Sequence, residues 1–162
     1  MEKFVTDLGI AAYLLMHGFQ VNGKKGRSIY FECSGTEQQD FDKLVLDYMP
    51  PSDFYLFDSC LMALKKINPW TKTLQKDKNI EVLTDMGQAA YILMKEYLDP
   101  KGYKIIGRGS TEREKEIYFQ LPENANHNEF RQRAFAYLGS PFHNFDSNLM
   151  TLKKIMEYVP SN

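Results

Sequence analysis

The chain has 162 residues, of which 43% are hydrophobic, 14% aromatic and 25% charged, enough for one packed core or two small ones. Twenty basic against twenty-one acidic side chains leave a net charge of −1, which excludes a histone-like polycation and an acidic solvating tail. The longest apolar stretch, around residues 9–16, is too short to cross a bilayer, residues 1–9 (MEKFVTDLG) lack a signal pattern, and two cysteines are too few for a disulfide framework; a cytoplasmic protein without a membrane partner is expected.

Thr6 is a good N-cap for a first helix, with Asp7 in the first turn, where the helix dipole favours negative charge. This helix runs to about His17, and Gly18 supplies a left-handed stop. Gly9 costs about 1 kcal/mol relative to Ala inside a helix, and beside Ala11-Ala12 it predicts a close backbone approach. A hairpin follows, from Phe19-Gln20-Val21 through a turn at Asn22-Gly23, the favoured short hairpin dipeptide, to a strand over residues 27–33. Gly26 leaves the register open. Alternation sends Ile29 and Phe31 to one face and Ser28, Tyr30 and Glu32 to the other. Thr36-x-x-Gln39 resembles a capping box, and Phe41, Leu44, Val45 and Tyr48 form the stripe of the helix behind it. Ser52 caps a last helix whose apolar face is Phe54, Phe57, Leu61, Leu64 and Ile67. Residues 69–79 (PWTKTLQKDKN) are polar and read as a linker.

The second half repeats the first. Thr6–Met16 (TDLGIAAYLLM) and Thr84–Met94 (TDMGQAAYILM) agree at eight of eleven positions, Ile29-Tyr30-Phe31 recurs as Ile117-Tyr118-Phe119, and Phe57–Ile67 (FDSCLMALKKI) agrees with Phe145–Ile155 (FDSNLMTLKKI) at nine of eleven. The offset is 78 for the first block and 88 for the others, so ten residues are inserted before the second IYF. A period near eighty suits a duplicated small domain rather than a solenoid. Thr84 repeats the cap, followed by Asp85, Gly87 and Ala89-Ala90, and the helix ends before Pro100. Residues 103–106 and 116–121 form the hairpin, joined by GRGSTEREK. Asn126-x-x-Glu129 opens a helix carrying Phe130, Ala134 and Tyr137; Ser140 and Pro141 begin the last. The expected fold is α+β: two tandem αββαα repeats, residues 1–70 and 80–162 with 71–79 between them, related by a pseudo-twofold. A lone hairpin is barely stable, so the two hairpins are expected to join into one antiparallel sheet covered by helices, in one compact body.

Catalytic signals are absent. His17, His127 and His143 have no counterpart in the other repeat, and HExxH, CxxC, GxSxG and Walker patterns do not occur. Asp58-Ser59 and Asp146-Ser147 recur, but mid-helix and without a repeated base; pairing of Asp58 with Lys65 and of Asp146 with Lys153 accounts for them. Cys33 and Cys60 are not repeated and read as packing, as do the repeated Met16/Met94 and Met62/Met150. No metal site, cofactor or enzymatic activity is expected. A site assembled between the repeats from dispersed polar residues is the weakest alternative.

One constellation points to binding. The first hairpin carries Lys24, Lys25 and Arg27 and the second Lys104, Arg108, Arg113 and Lys115; if the shared sheet forms, Tyr30 and Tyr118 stand on its uncovered face near these cations. Aromatic rings with cations are the general device for single-stranded nucleic acid, stacking contributing about 1–3 kcal/mol per base. Glu32, Glu112, Glu114 and Glu116 oppose it, so covering of the sheet or contact with a partner protein remains the competing interpretation.

The block TDLGIAAYLLMHGF, a hairpin ending in IYFEC and a closing LMALKKI helix together resemble a small domain-of-unknown-function family of phages and prophages. Ala11-Ala12-Tyr13-Leu14, Tyr30-Phe31 and Leu64-Lys65 carry the likeness in one repeat; Ala89-Ala90-Tyr91-Ile92, Tyr118-Phe119 and Leu152-Lys153 carry it in the other. The resemblance transfers no catalytic residues. It implies an accessory protein in a viral setting that binds nucleic acid or a host or viral protein, such as a defence or replication factor.

Overall fold

Two runs of like elements follow one another in the computed structural model, which describes residues 1–50, 52–68, 79–109 and 115–155. The first contains β1 (Glu2–Val5), α1 (Leu8–Met16), β2 (Val21–Lys25), β3 (Ser28–Glu32), α2 (Gln38–Tyr48) and α3 (Asp53–Leu64). The second contains β4 (Ile80–Leu83), α4 (Met86–Leu98), β5 (Lys104–Arg108), β6 (Ile117–Gln120), α5 (His127–Ala136), a 3₁₀ turn at Tyr137–Gly139, and α6 (Pro141–Lys153). The fold is α+β. The linker at 71–79 lies outside the described residues apart from Asn79.

The sheets differ from expectation. The hairpins do not join into one four-stranded sheet; there are two three-stranded antiparallel sheets, ordered β1-β3-β2 and β4-β6-β5. Each hairpin takes its third strand from the residues just before its own first helix, Phe4 pairing with Tyr30 and Val82 with Tyr118. That supplies three-stranded stability locally. Alternation along the central strands is as expected: Ile29, Phe31, Ile117 and Phe119 are buried, and Tyr30 and Tyr118 are half-buried on the opposite face.

The first hairpin turns at Gly26-Arg27, not at Asn22-Gly23. Lys25 pairs with Ser28, leaving two loop residues, and Gly26 has φ 60°, as a type II′ turn requires at its first central position. Asn22 is instead the extra residue of a bulge between Val21 and Gly23, and the second hairpin repeats that bulge between Ile105 and Gly107. Gly23 and Gly107 differ by 84 in number, so the ten-residue insertion divides: six residues enter between Met94 and Gly107, four of them lengthening α4 from the 9 residues of α1 to 13, and four enter the hairpin loop.

Helix ends show where local chemistry decides. Asp7 and Asp85, rather than Thr6 and Thr84, are the N-caps: Asp7 accepts from the Ile10 N–H, and Asp85 accepts from those of Gly87 and Gln88. Gly18, at φ 92°, ends α1 with Gly18 N–H on Leu15 O and Phe19 N–H on Leu14 O, a full Schellman pattern. The box expected at Thr36 and Gln39 does not form. The Glu37 carboxylate accepts from the Ser34 N–H at 2.9 Å, which holds this carboxyl below its usual range. Asn126 caps α5 and Ser52 caps α3 as expected, accepting from Asn128 and Tyr55.

The chain divides into two compact units that do not follow the sequence repeats. Unit 1 comprises Met1–Leu56 and His143–Asn162; unit 2 comprises Phe57–Phe142. Most of α6 thus belongs with the first hairpin, and most of α3 with the second. In unit 1 Phe145 stacks on Tyr48 (6.1 Å, 24°), and in unit 2 Phe57 stacks on Tyr137 (5.9 Å, 22°). Both pairs sit at matching sequence positions, and all four rings are fully buried. An aromatic trio also recurs: Phe19 and Phe31 on Phe41, and Tyr103 and Phe119 on Phe130. Met62 and Met150, expected in the core, are about half exposed, because the buried stripes of α3 and α6 run through Phe57, Leu61 and Leu64 and through Phe145, Leu149 and Leu152.

Candidate functional site

A cavity of about 270 Å³ opens in unit 1 where three elements converge. The tip of the first hairpin contributes Lys24, Gly26, Arg27 and Ile29, the start of α1 contributes Thr6 and Leu8, and the end of α6 contributes Leu152 and Lys153. Three of the eight lining residues are cations and none is acidic. Each cation is placed by a feature already described. Lys24 pairs with Ile29 just after the bulge, Arg27 is the second residue of the two-residue turn, and Lys153 follows the core residue Leu152. The floor is apolar and the rim cationic. At this volume, below the usual range for drug-sized ligands, the chemistry suits a phosphate or a comparable small anion, for which Lys and Arg are the standard binders.

The structure divides the residues singled out from sequence. Lys24 and Arg27 line the cavity, joined by Lys153. Lys25 pairs with Ser28 and so shares the opposite face of the sheet with Tyr30. That face holds Phe4 against Tyr30 at 5.6 Å, with Glu2 directly opposite Glu32. Asn22 Nδ2 donates to both carboxylates, at 2.8 and 3.2 Å. Hydrogen bonds from the Met1 ammonium and then from Asn22 hold the Glu32 carboxyl below its usual range, so the face stays anionic beside the aromatic pair. It is a poor platform for a phosphate backbone.

In unit 2 Tyr118 donates its hydroxyl to Glu116 at 2.5 Å, and Lys104 pairs with Gln120 at the far end of β5 from Arg108. At roughly 3.3 Å per residue, Lys104 and Arg108 do not share a site. Arg113 lies outside the described residues. Lys153 and its counterpart Lys65 were missed as site residues because a lysine near a helix C-terminus already has a structural role. The signal was available: LKKI is retained in both repeats, with the lysine next to a core leucine.

Among the described residues no group of three or more His, Cys, Asp or Glu side chains could hold a metal ion, and no helix is long and apolar enough to cross a membrane. Cys33 and Cys60 are buried free thiols; burial pushes Cys60 up to about 11, far from a reactive thiolate. Comparison with family models, curated proteins and solved structures finds no match for this chain.

Proposed function

We propose that the protein is a non-enzymatic accessory protein of phage type, with two repeats derived by tandem duplication, that binds single-stranded nucleic acid by its phosphates. The observation that carries this reading is the convergence of Lys24, Arg27 and Lys153 on one acid-free cavity. The viral setting rests on the sequence resemblance. Base stacking is not part of the proposal, because Tyr30 lies among carboxylates on the other face of the sheet. With a net charge of −1 the whole-molecule field gives no help, so affinity depends on local contacts and falls with salt.

The test is binding of a labelled oligothymidylate to the full chain, followed by fluorescence anisotropy across a salt series. Three phosphate contacts predict a log–log slope of roughly −2 for a single strand. Replacing Lys24, Arg27 and Lys153 together with Ala should remove that contribution. Absence of binding at low salt, or a slope untouched by the triple substitution, would reject the reading.

A second reading, docking of a host or viral protein, rests on a different observation. Exposed apolar side chains recur at matching positions: Leu46 and Phe135 are 73% and 70% exposed, and Met49/Leu138, Met62/Met150 and Phe4/Val82 follow suit. Exposed apolar surface of this kind marks interaction sites when contiguous. Failure of nucleic-acid binding, with a partner whose affinity is lost in Leu46→Lys or Phe135→Lys, would favour it.

A further inference from the structure

We infer that unit 2 holds a second anion site, built on Arg108 with Lys65 and Lys115, so that the chain carries two phosphate sites. The inference extends the phosphate reading of the unit 1 cavity and rests on it, but a separate observation supports it. Among the described residues, Arg108 Nε is the one buried side-chain nitrogen or oxygen without a hydrogen-bond partner. A buried donor on a permanently charged group is costly to leave unmet, and such an orphan in a native fold calls for an unseen water or ion. A guanidinium accepts nothing and donates in a planar fork that matches phosphate oxygens, so an anion is the partner that meets both the charge and the geometry.

Position supports the same conclusion. Arg108 pairs with Ile117 as Lys24 pairs with Ile29, each two strand positions beyond a bulge of the same form. Lys115 and Lys65 occupy the places of Arg27 and Lys153 in the repeat alignment. The end of the α3 segment reaches this corner of unit 2, since Arg108 N–H donates to Asn68 O at 3.3 Å, much as the end of α6 reaches the unit 1 cavity. Side-chain identity changes at two of the three positions, Lys24 to Arg108 and Arg27 to Lys115, while positive charge is kept at all three. Packing requires a shape and tolerates loss of charge; an anion requires the charge and is still bound, though less tightly, where Lys stands in place of Arg. Glu116, the nearest described acid in sequence, is engaged by the Tyr118 hydroxyl.

The experiment titrates the full chain with inorganic phosphate, at ionic strength held constant with chloride, while the arginine Nε–H resonances are followed by NMR. Arg108 should move and saturate, and Arg108→Lys, which keeps the charge but loses the fork, should weaken phosphate binding read at the Gly109 amide by about tenfold. Arg27 reports the unit 1 cavity separately. Movement of Arg27 with Arg108 unmoved overturns the second site and leaves the proposed function standing. Movement of Arg108 alone removes the unit 1 reading and with it the claim of two sites, leaving a single site in unit 2. If neither moves, a buried water satisfies Nε and both are overturned. Oligonucleotides with and without a 5′-terminal phosphate then separate the sources: a response to both indicates backbone diesters, and a response to the phosphorylated one alone indicates a terminal or free phosphate.

Discussion

Units 1 and 2 use one plan with different local solutions. Lys3 of β1 pairs with Asp42 of α2 at 2.6 Å, and at the matching place Glu81 of β4 pairs with Arg131 of α5 at 2.6 Å, with the charges reversed. The fold needs opposite charges bridging strand and helix there and is indifferent to which side carries which. The helix-to-strand connections differ more. After α1 a single left-handed glycine suffices, whereas the longer connection after α4 closes around Glu96. Its carboxylate accepts from the backbone N–H groups of Lys101, Gly102 and Tyr103 at 2.9, 3.0 and 3.2 Å. Arg133 ties the loop down by donating to Asp99 O and Asp99 Oδ2 and facing Tyr103. An insertion is tolerated where its orphan backbone donors find one local acceptor.

The comparison can be broken most severely at the two stacked pairs. Phe57→Ala and Phe145→Ala should each cost about 3–5 kcal/mol of stability. Native-state hydrogen exchange should show the loss first in β5–β6 for Phe57→Ala and in β2–β3 for Phe145→Ala, because each phenylalanine packs in the unit that holds the other repeat's hairpin. Loss centred on the residue's own repeat would contradict that arrangement.

Glu96→Ala should cost about 1–2 kcal/mol in denaturant unfolding, by removing the acceptor shared by three backbone donors, two of them exposed enough to turn to water, and should leave unit 1 exchange unchanged. Gly102→Ala probes the same loop: φ is 85°, and a Cβ there would meet Pro122 Cγ at 2.9 Å. Gly18→Ala, where φ is also positive but space is open, should destabilise less, by the backbone strain alone.

A smaller effect is expected at the inverted ion pair. Lys3→Glu should destabilise by about 0.2–1 kcal/mol, and adding Asp42→Arg, which recreates the Glu81–Arg131 arrangement, should restore stability. A double-mutant cycle with no coupling would show that the repeated pairing is incidental.

The last effect concerns pH and vanishes at neutrality. Burial raises the Cys60 thiol to about 11 from its ordinary value of 9.0. The folded state therefore holds this proton more tightly than the unfolded chain, so its contribution is fully present below pH 9 and is lost as pH rises towards 11. Cys60→Ser should flatten the stability profile in that window, and the native thiol should resist a disulfide reagent at neutral pH.

Most of the helical content was readable because its signals are local. The stripes Phe41/Tyr48 and Phe57/Leu61/Leu64 repeat at helical spacing, and Asn126 and Ser52 cap where polar residues precede such stripes. The edge strands β1 and β4 escaped notice: EKFV and IEVL are four residues each, too short to show a period, and become strands by pairing with β3 and β6. Asn22-Gly23 misled because the dipeptide that favours a turn also accommodates a bulge, and cross-strand register decides which. Two of the three cations of the candidate site were likewise legible, Lys24 and Arg27. Lys153 was not, since nothing local reveals that the end of α6 reaches a hairpin more than a hundred residues earlier.

The amino-acid sequence by itself determined the repeated plan, the helices, the buried and exposed faces of the central strands and the retained cations, because each depends on neighbours within a few residues. Tertiary structure alone decided the two separate sheets, the units that cut across the repeats and the meeting of Lys153 with Lys24 and Arg27. Those depend on which distant surfaces bury one another, and hydrophobic burial is non-directional, so the apolar pattern names the faces to be covered without naming what covers them.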